Sequence, residues 1–329
     1  MAKYIISRFI FVVITFFAVL VLNLFILRMM PGDIIQTRIQ ELVLNYGYSY
    51  EQAYKIVESQ LGYDINKNIF EQFLSYILNV FRGNLGESII YRIPVLDVIM
   101  NSILWTIYLG LASLIFSFIL GIVLGIVAAY NREKLIDNII TLFASLILCI
   151  PNFLIGIILL VLFGVYLGIF PLRGAYSIEA PYFSLEFFIS VLKHSVLPIL
   201  SYSLVLIGNW ILVFRASAIT VISENYILFA KAKGLKNITI LFYYILPNAI
   251  IPIIPLFFIS LGGIIQGAFF VEPIFGYPGI GYFFSKAITL RDYTLIQGIL
   301  TVITLIILFL NFLADILHKM IDIRVKNID

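Results

Sequence analysis

Charge, cysteine and histidine are all scarce in this chain, and each shortage closes off a class of function. Only 12% of the 329 residues are Asp, Glu, Lys or Arg, about half the share found in soluble domains. With 62% hydrophobic residues and a mean hydropathy of +1.08, the chain cannot cover itself with a polar surface, so it is an integral membrane protein. Cys149 is the only cysteine, which excludes an internal disulfide. It stands in an apolar run and reads as a small buried hydrophobe. His194 and His318 are the only histidines and are expected at opposite membrane faces. Zinc needs three or four converging ligands, so no metal site is expected. The sequence has no GxxxxGK[ST] loop, no HExxH, no GxSxG and no paired CxxC. No catalytic, cofactor-binding or metal residue is therefore assigned, and no enzyme is expected. The net charge of +3 is too small to argue for nucleic acid. The apolar runs lack the Asp, Glu, His or Lys that ion-coupled pumps place at midplane depth, and no internal repeat of interrupted helices is seen. The driving force is expected to come from outside this chain.

The long apolar runs are what the sequence does have. A bilayer core of ~30 Å needs about 20 residues of helix. Six segments meet this: 9–27, 103–129, 139–170, 196–214, 238–271 and 293–314. The first follows Lys3 and Arg8 but is longer than a signal-peptide core and has no A-x-A site after it, so it is read as a retained helix. The third is over-long and contains Pro151 and Asn152, where a kink is expected. The fifth is also over-long, and Pro247 is expected to mark where that span begins. Six spans place both termini on one side. That side carries 11 Lys/Arg against 6 Asp/Glu, the other 10 against 12 over about twice the length. The positive-inside rule makes the first side cytoplasmic.

Residues 31 to about 100 lie on the opposite side. Ser49 and Gln52 form a capping-box pattern. Ala53, Ile56, Val57 and Leu61 follow at helical spacing, and Gly62 closes that helix. Phe70, Phe73, Leu74, Ile77, Leu78 and Phe81 predict a second helix, ended by Gly83. Two readings of its apolar stripe stay open: a helix lying on the membrane or on other helices, and a docking face for an external partner.

The stretch Tyr226–Pro247, YILFAKAKGLKNITILFYYILP, is a short basic helix between two apolar runs. Ser223 is expected to cap its start. Gly234 stands where a helix stops, because glycine adopts the left-handed conformation at low cost. Lys231 and Lys233 fall in the last turn, where cations complement the helix dipole. An element of this kind at a membrane surface is suited to being gripped by another protein. In the fifth run, Gly262, Gly263 and Gly267 give a small-xxx-small spacing. Packing against a partner and lining of a pathway are both open for them. Glu272, at the outer end, is read either as pairing with Arg291 or as meeting a charged group of a cargo.

These residues resemble one family, the B-type permease subunits of ABC importers of the dipeptide/oligopeptide class. Importer permeases carry a cytoplasmic signature written EAA, three residues, Gly, nine residues, I-x-L-P. Placing its glycine on Gly234 puts Ala230 on the second alanine and Leu246 and Pro247 on the final pair. Leu228, Phe229 and Tyr244 depart from the pattern, in the way the peptide subfamily does. YILFAKAKGL here is similar to YVRTARAKGL there. Further matches follow in order along residues 3 to about 326: RMMPGD at Arg28–Asp33, FRGNLGES at Phe81–Ser88, PVLDVI at Pro94–Ile99, CIPNFLIG at Cys149–Gly156, VEPIFGYPGIG at Val271–Gly281 and RDYTLIQG at Arg291–Gly298.

The resemblance implies an all-α type I ABC transporter transmembrane domain with six helices. Residues 1–93 would hold the first helix and an extracytoplasmic helical segment, 94–318 the transmembrane type-1 domain, and 319–329 a cytoplasmic tail. It implies as partners a second homologous permease, two cytoplasmic ATPase subunits that bind ATP and Mg, an extracytoplasmic substrate-binding protein, and the membrane lipid around this subunit. Tyr226, Ala230, Lys231, Lys233, Gly234, Leu235, Leu246 and Pro247 would form the ATPase-coupling helix and its corner. Pro151, Asn152, Gly262, Gly263, Gly267 and Glu272 would line the pathway or pack helices. The cargo would be peptide; nickel or metallophore complexes and oligosaccharides are alternatives within the same architecture. A passive channel or membrane receptor is the reading from a different class.

Overall fold

In the computed structural model the described residues are 2–29, 34–61 and 68–321. Three sequence expectations lie outside them: residues 30–33 of the first motif, the closing Gly62, and residues 322–329 of the expected cytoplasmic tail. The described residues are helical, with one isolated bridge between Glu87 and Pro94 as their only extended pairing. Five helices are each long and apolar enough to cross a bilayer, and the count is six if a sharply bent helix pair is taken as one span. The six expected from the sequence are the upper of these counts.

The chain divides into two compact units. The first comprises Met1–Leu104 and Tyr282–Phe309. It begins with α1 (Ala2–Met29), α2 (Ile34–Tyr46), α3 (Tyr50–Leu61) and α4 (Ile69–Phe81), and α5 (Val95–Tyr130) starts within it. The capping box forms in both directions. The Gln52 N–H donates to Ser49 Oγ at 3.2 Å and the Ser49 N–H to Gln52 Oε1 at 3.1 Å. Ala53 and Val57 of α3 are buried against Ile39 and Leu42 of α2. The expected second helix is α4. Gly83 ends it with φ +76°, and the Asn84 N–H reaches back to Asn79 O at 2.8 Å, a Schellman closure. Asp292 holds this unit's loops to its last helix, α14 (Tyr293–Ile321). Its Oδ1 accepts the Leu295 N–H at 3.0 Å as an N-cap; Oδ2 accepts Ser88 Oγ–H at 2.5 Å and the Ile90 N–H at 3.1 Å.

The second unit comprises Trp105–Gly281 and Leu310–Asp329. It contains most of α5, then α6 (Leu135–Leu148) and α7 (Asn152–Leu159), which runs on as a π-helix over Leu160–Tyr166, and α8 (Leu185–Ile222). α5 and α8 approach closely because Gly121 and Gly125 face Trp210 and Phe214; a Cβ on Gly121 would lie 2.2 Å from Trp210 Cβ. The expected kink at Pro151 is instead a complete break. α6 and the α7 run meet at 99°. Pro151 is extended (φ −57°, ψ 139°) and stands outside α7 as its N-cap, a place where its missing N–H leaves nothing unpaired. Cys149 lies at this break and is exposed, not buried. Its thiol donates to Ser145 O at 3.4 Å. The turn out of α6 carries it off the packed face.

The fifth span also begins earlier than expected. The apolar helical run starts at Asn237 and passes through Pro247 without stopping. α10 (Asn237–Ile240) leads into a π-helix over Leu241–Ile245, then α11 (Leu246–Ile250), a 3₁₀ turn over Ile251–Ile253 and α12 (Ile254–Phe275). The wide π turn before the proline relieves the clash its ring would make in a regular helix. The Asn248 side-chain amide donates to Tyr244 O at 2.7 Å and satisfies a carbonyl of that turn. α13 (Ile280–Thr289) follows α12.

Candidate functional site

The short basic element is α9 (Asn225–Ala232), the only described helix between α8 and the fifth span. Its cap differs from the sequence reading. Glu224 is the N-cap residue and makes no side-chain cap bond. Ser223 belongs to the end of α8, where its hydroxyl donates back to Ile219 O and Thr220 O at 3.0 and 2.9 Å. A serine that ends one helix bonds the preceding turn in preference to capping the next. The C-terminal stop is as expected. Gly234 has φ +76°, its N–H bonds Lys231 O at 2.9 Å, and the Leu235 N–H bonds Ala230 O at 3.3 Å. These two bonds are a Schellman motif.

α9 is seated on the ends of the spans by one face. Ile227 and Ala230 are buried against Ala129 of α5, Ala218 and Val221 of α8, and Ile240, Ile245 and Ala249 of the following run, with Leu235 and Tyr244 packed at the edge. The Ser217 hydroxyl of α8 donates to Ala249 O at 2.8 Å. Leu246 and Pro247 lie in the same run, Pro247 on its exposed side. In the same unit, Arg215 of α8 grips Asp137 of α6 with two bonds, Nε to Oδ1 at 2.6 Å and a terminal N–H to Oδ2 at 2.7 Å. Burial first, and the Glu224 carboxylate second, push the Tyr226 hydroxyl above its ordinary pKa. α9 and its surroundings therefore form one braced corner.

The outward face of α9 is not only basic. Leu228 and Phe229 are 73% and 61% exposed. Lys231 and Lys233 are exposed and make no ion pair among the described residues. The Lys233 ammonium rests 4.7 Å from the centre of the Phe229 ring. A Cβ on Gly234 would meet nothing within 4 Å, so the space around it is open. Two bare apolar side chains flanked by free cations make a face suited to a protein groove.

A second group of expected residues meets within the other half of this unit. Asn152, Gly263 and Gly267 line a groove of about 350 Å³ with Gly110, Tyr202 and Ser260. Gly267 is pressed against its own chain: a Cβ there would come within 2.3 Å of Tyr202 Cε1 and 3.2 Å of Asn152 Nδ2. Gly263 faces open space, and Gly262 sits beside Asn311 Oδ1. Pro151 stands at the helix break and Glu272 beneath the turn after α12; neither lines the groove. Glu272 is fully buried. Its Oε2 accepts the Gly281 N–H at 2.7 Å, where a carboxylate complements the start of α13. A Cβ on Gly279 would lie 2.3 Å from the Glu272 carboxyl, and one on Gly281 2.2 Å from Ala268 O. The glycines of VEPIFGYPGIG thus make room for an acid and a carbonyl.

Several residues of these sites gave little sign in the sequence. Asp137 and Arg215 are separated by 78 positions, and only their presence at the ends of apolar helices marks them. Ser217 carries no local pattern, and although Ser88 and Asp292 stand in two of the quoted motifs, neither motif shows that they pair. Leu228 and Phe229 show in the sequence only as departures from the importer signature.

Fold and site together define a multi-pass membrane protein with a braced, outward-presented inter-span helix. Residues 121–327 match the family described as binding-protein-dependent transport system inner membrane component, and the chain belongs to that family. It is similar to the di/tripeptide transport system permease protein DppB of Pseudomonas aeruginosa (strain UCBPP-PA14), 31% identical over 99% of both chains. It is also similar to the glutathione transport system permease protein GsiC of Escherichia coli O6:H1, 29% identical over 99% of both. Among solved structures it shares the fold of a chain from the MetNI methionine ABC transporter in an inward-facing conformation. That match has a TM-score of 0.54 and 13% identity, and covers 68% of this chain and 96% of the other.

Proposed function

We propose that this chain is a permease subunit of an ATP-driven peptide importer and that α9 is the lever through which a cytoplasmic ATPase moves it. The carrying observation is the pairing of a rigid mount with a bare outer face. The Schellman closure at Gly234, the Ile227–Ala230 seat and the Ser217–Ala249 bond join α9 to α8 and to the fifth span, while Leu228, Phe229, Lys231 and Lys233 face outward. A stiff lever tilts the spans it is joined to; a loose loop would absorb the motion. ATP binding and hydrolysis in partner subunits then bias a two-state permease between outward and inward access. Peptide cargo is supported by the full-length likeness to permeases named for di/tripeptide and glutathione transport.

In this reading both termini and α9 face the cytoplasm, as the Lys/Arg distribution argues. A second permease, two ATPases and an extracytoplasmic binding protein complete the importer, and ATP and Mg are held by the ATPases. The groove at Asn152, Tyr202 and Gly263 is the part of this subunit best shaped to line the pathway. Gly234 tests the lever. Asn tolerates a left-handed backbone and Trp does not add a clash within the chain, since the space is open. In the reconstituted importer, Gly234→Asn is expected to keep substrate-stimulated ATP hydrolysis and uptake coupled, whereas Gly234→Trp stays in the membrane but loses the coupling. Unchanged stimulation and uptake in the Trp variant would contradict the proposal.

A further inference from the structure

α4 is too short to cross a bilayer. Its 13 residues reach about 20 Å, against ~30 Å of hydrocarbon. Yet its only charge is Glu71, in the first turn. Contacts on two sides fix its depth. Phe16 and Leu20 of α1 are buried against Tyr76 and Ile77 of α4, with Phe17 and Val80 beside them, and the Phe17 and Phe81 rings are 6.4 Å apart. Phe16 and Phe17 stand three and four residues from the centre of the apolar stretch Lys3–Asn23, only about 5 Å along the axis. On the other side the Tyr76 hydroxyl shares a 2.7 Å hydrogen bond with Thr301. Thr301 lies within four residues of the centre of Tyr293–Ile316, again roughly 5 Å from the middle of a span. Both neighbours of α4 are therefore at hydrocarbon depth.

After α4 the chain returns to the end of α3. Gly83 turns it, the Glu87 N–H bonds Gln60 O at 3.1 Å, and Ser88 bonds Asp292 at the start of α14. The polar side chains Gln72 and Tyr76 are buried toward the protein. The opposite face carries Phe70, Leu74, Leu78 and Phe81, all exposed, at a spacing of i, i+4, i+8 and i+11 on one helix. Ile14, Val21 and Phe25 of α1 are likewise exposed apolar side chains. Polar groups turned inward and apolar groups turned outward is the arrangement of a helix solvated by lipid. We propose that α4 is a re-entrant helix held at hydrocarbon depth without crossing the bilayer, and that the Phe70–Leu74–Leu78–Phe81 face binds acyl chains of the bilayer. It is not a docking face for a soluble partner, which could reach this depth only by displacing lipid. The inference does not depend on the cargo or on the role of α9.

Spin labels test it directly. In a Cys149→Ser background, cysteines at Leu78 and Phe70 are labelled in the full-length chain reconstituted into phosphatidylcholine/phosphatidylglycerol vesicles. Ile14→Cys serves as the lipid reference and Glu51→Cys, on α3, as the water reference. Collision with oxygen is expected to exceed collision with a water-soluble nickel chelate several-fold at Leu78, as at Ile14. Phe70 is 71% exposed, so its label should report the same preference even if Leu78→Cys perturbs packing. Chelate-dominated collision at both positions, as at Glu51, would place α4 in water and overturn the proposal. Exclusion of both reagents would mean a protein covers the face, and would overturn it equally.

Discussion

The Asp137–Arg215 clamp yields an asymmetric prediction. The two residues share two short charge-assisted bonds, but their surroundings differ. The Asp137 side chain is 2% exposed and Arg215 28%. Asp137 also accepts the Glu133 N–H at 3.1 Å and the Thr141 hydroxyl at 3.2 Å. Arg215→Ala strands a buried carboxylate and should destabilise the protein by about 3–5 kcal/mol, the usual cost of breaking a buried pair from one side. Asp137→Asn leaves a guanidinium that can turn toward water and keeps an acceptor for Glu133. Its cost should be about 1–3 kcal/mol. The double variant Asp137→Asn/Arg215→Met removes both charges and keeps most of the packing, so it should lie within about 2 kcal/mol of the parent. Equilibrium unfolding by denaturing detergent in mixed micelles, run as a double-mutant cycle, measures all three. The reasoning fails if Arg215→Ala costs no more than Asp137→Asn, or if the double variant equals the sum of the singles.

Two further outcomes follow from the packing. Asp292→Ala removes the acceptor shared by Ser88, Ile90 and Leu295, and at ~1–3 kcal/mol for each buried donor left unpaired it should lower stability by more than 3 kcal/mol. Protease sensitivity of the 82–94 loop, assayed in membranes, should rise with it. Gly267→Val would drive a side chain into Tyr202 and Asn152, where overpacking typically costs about 1–3 kcal/mol. It should narrow the 350 Å³ groove and reduce uptake while leaving basal ATP hydrolysis by the assembled importer intact; unchanged uptake would remove the groove from the pathway.

The sequence made legible those features that rest on local chemistry. The capping box at Ser49–Gln52, the glycine stops at Gly83 and Gly234 and the number of spans all depend on a few neighbouring residues or on a sum of hydropathy. Features that depend on the rest of the chain were misread. Proline at 151 and at 247 gives the same local signal, yet one breaks the helix at 99° and the other is carried by a π turn. The difference lies in the backbone around each: a π turn over Leu241–Ile245 leads into Pro247, whereas Pro151 is extended and stands outside the helix that follows it. Ser223 was placed on the wrong helix because α8 runs to Ile222, beyond the last apolar residue that hydropathy assigns to the span. Buried pairs such as Asp137–Arg215 and Ser88–Asp292 join positions far apart, and no spacing in one sequence records them.

The most direct measurement of the central claim is site-specific photocrosslinking from Leu228 or Phe229, the exposed apolar side chains of α9, in membranes that hold the whole importer. The account predicts capture of a cytoplasmic ATPase subunit, with a yield that changes on adding ATP. Capture of no nucleotide hydrolase, together with labelling of a cysteine at Lys233 by an impermeant reagent applied only from the cell exterior, would contradict it.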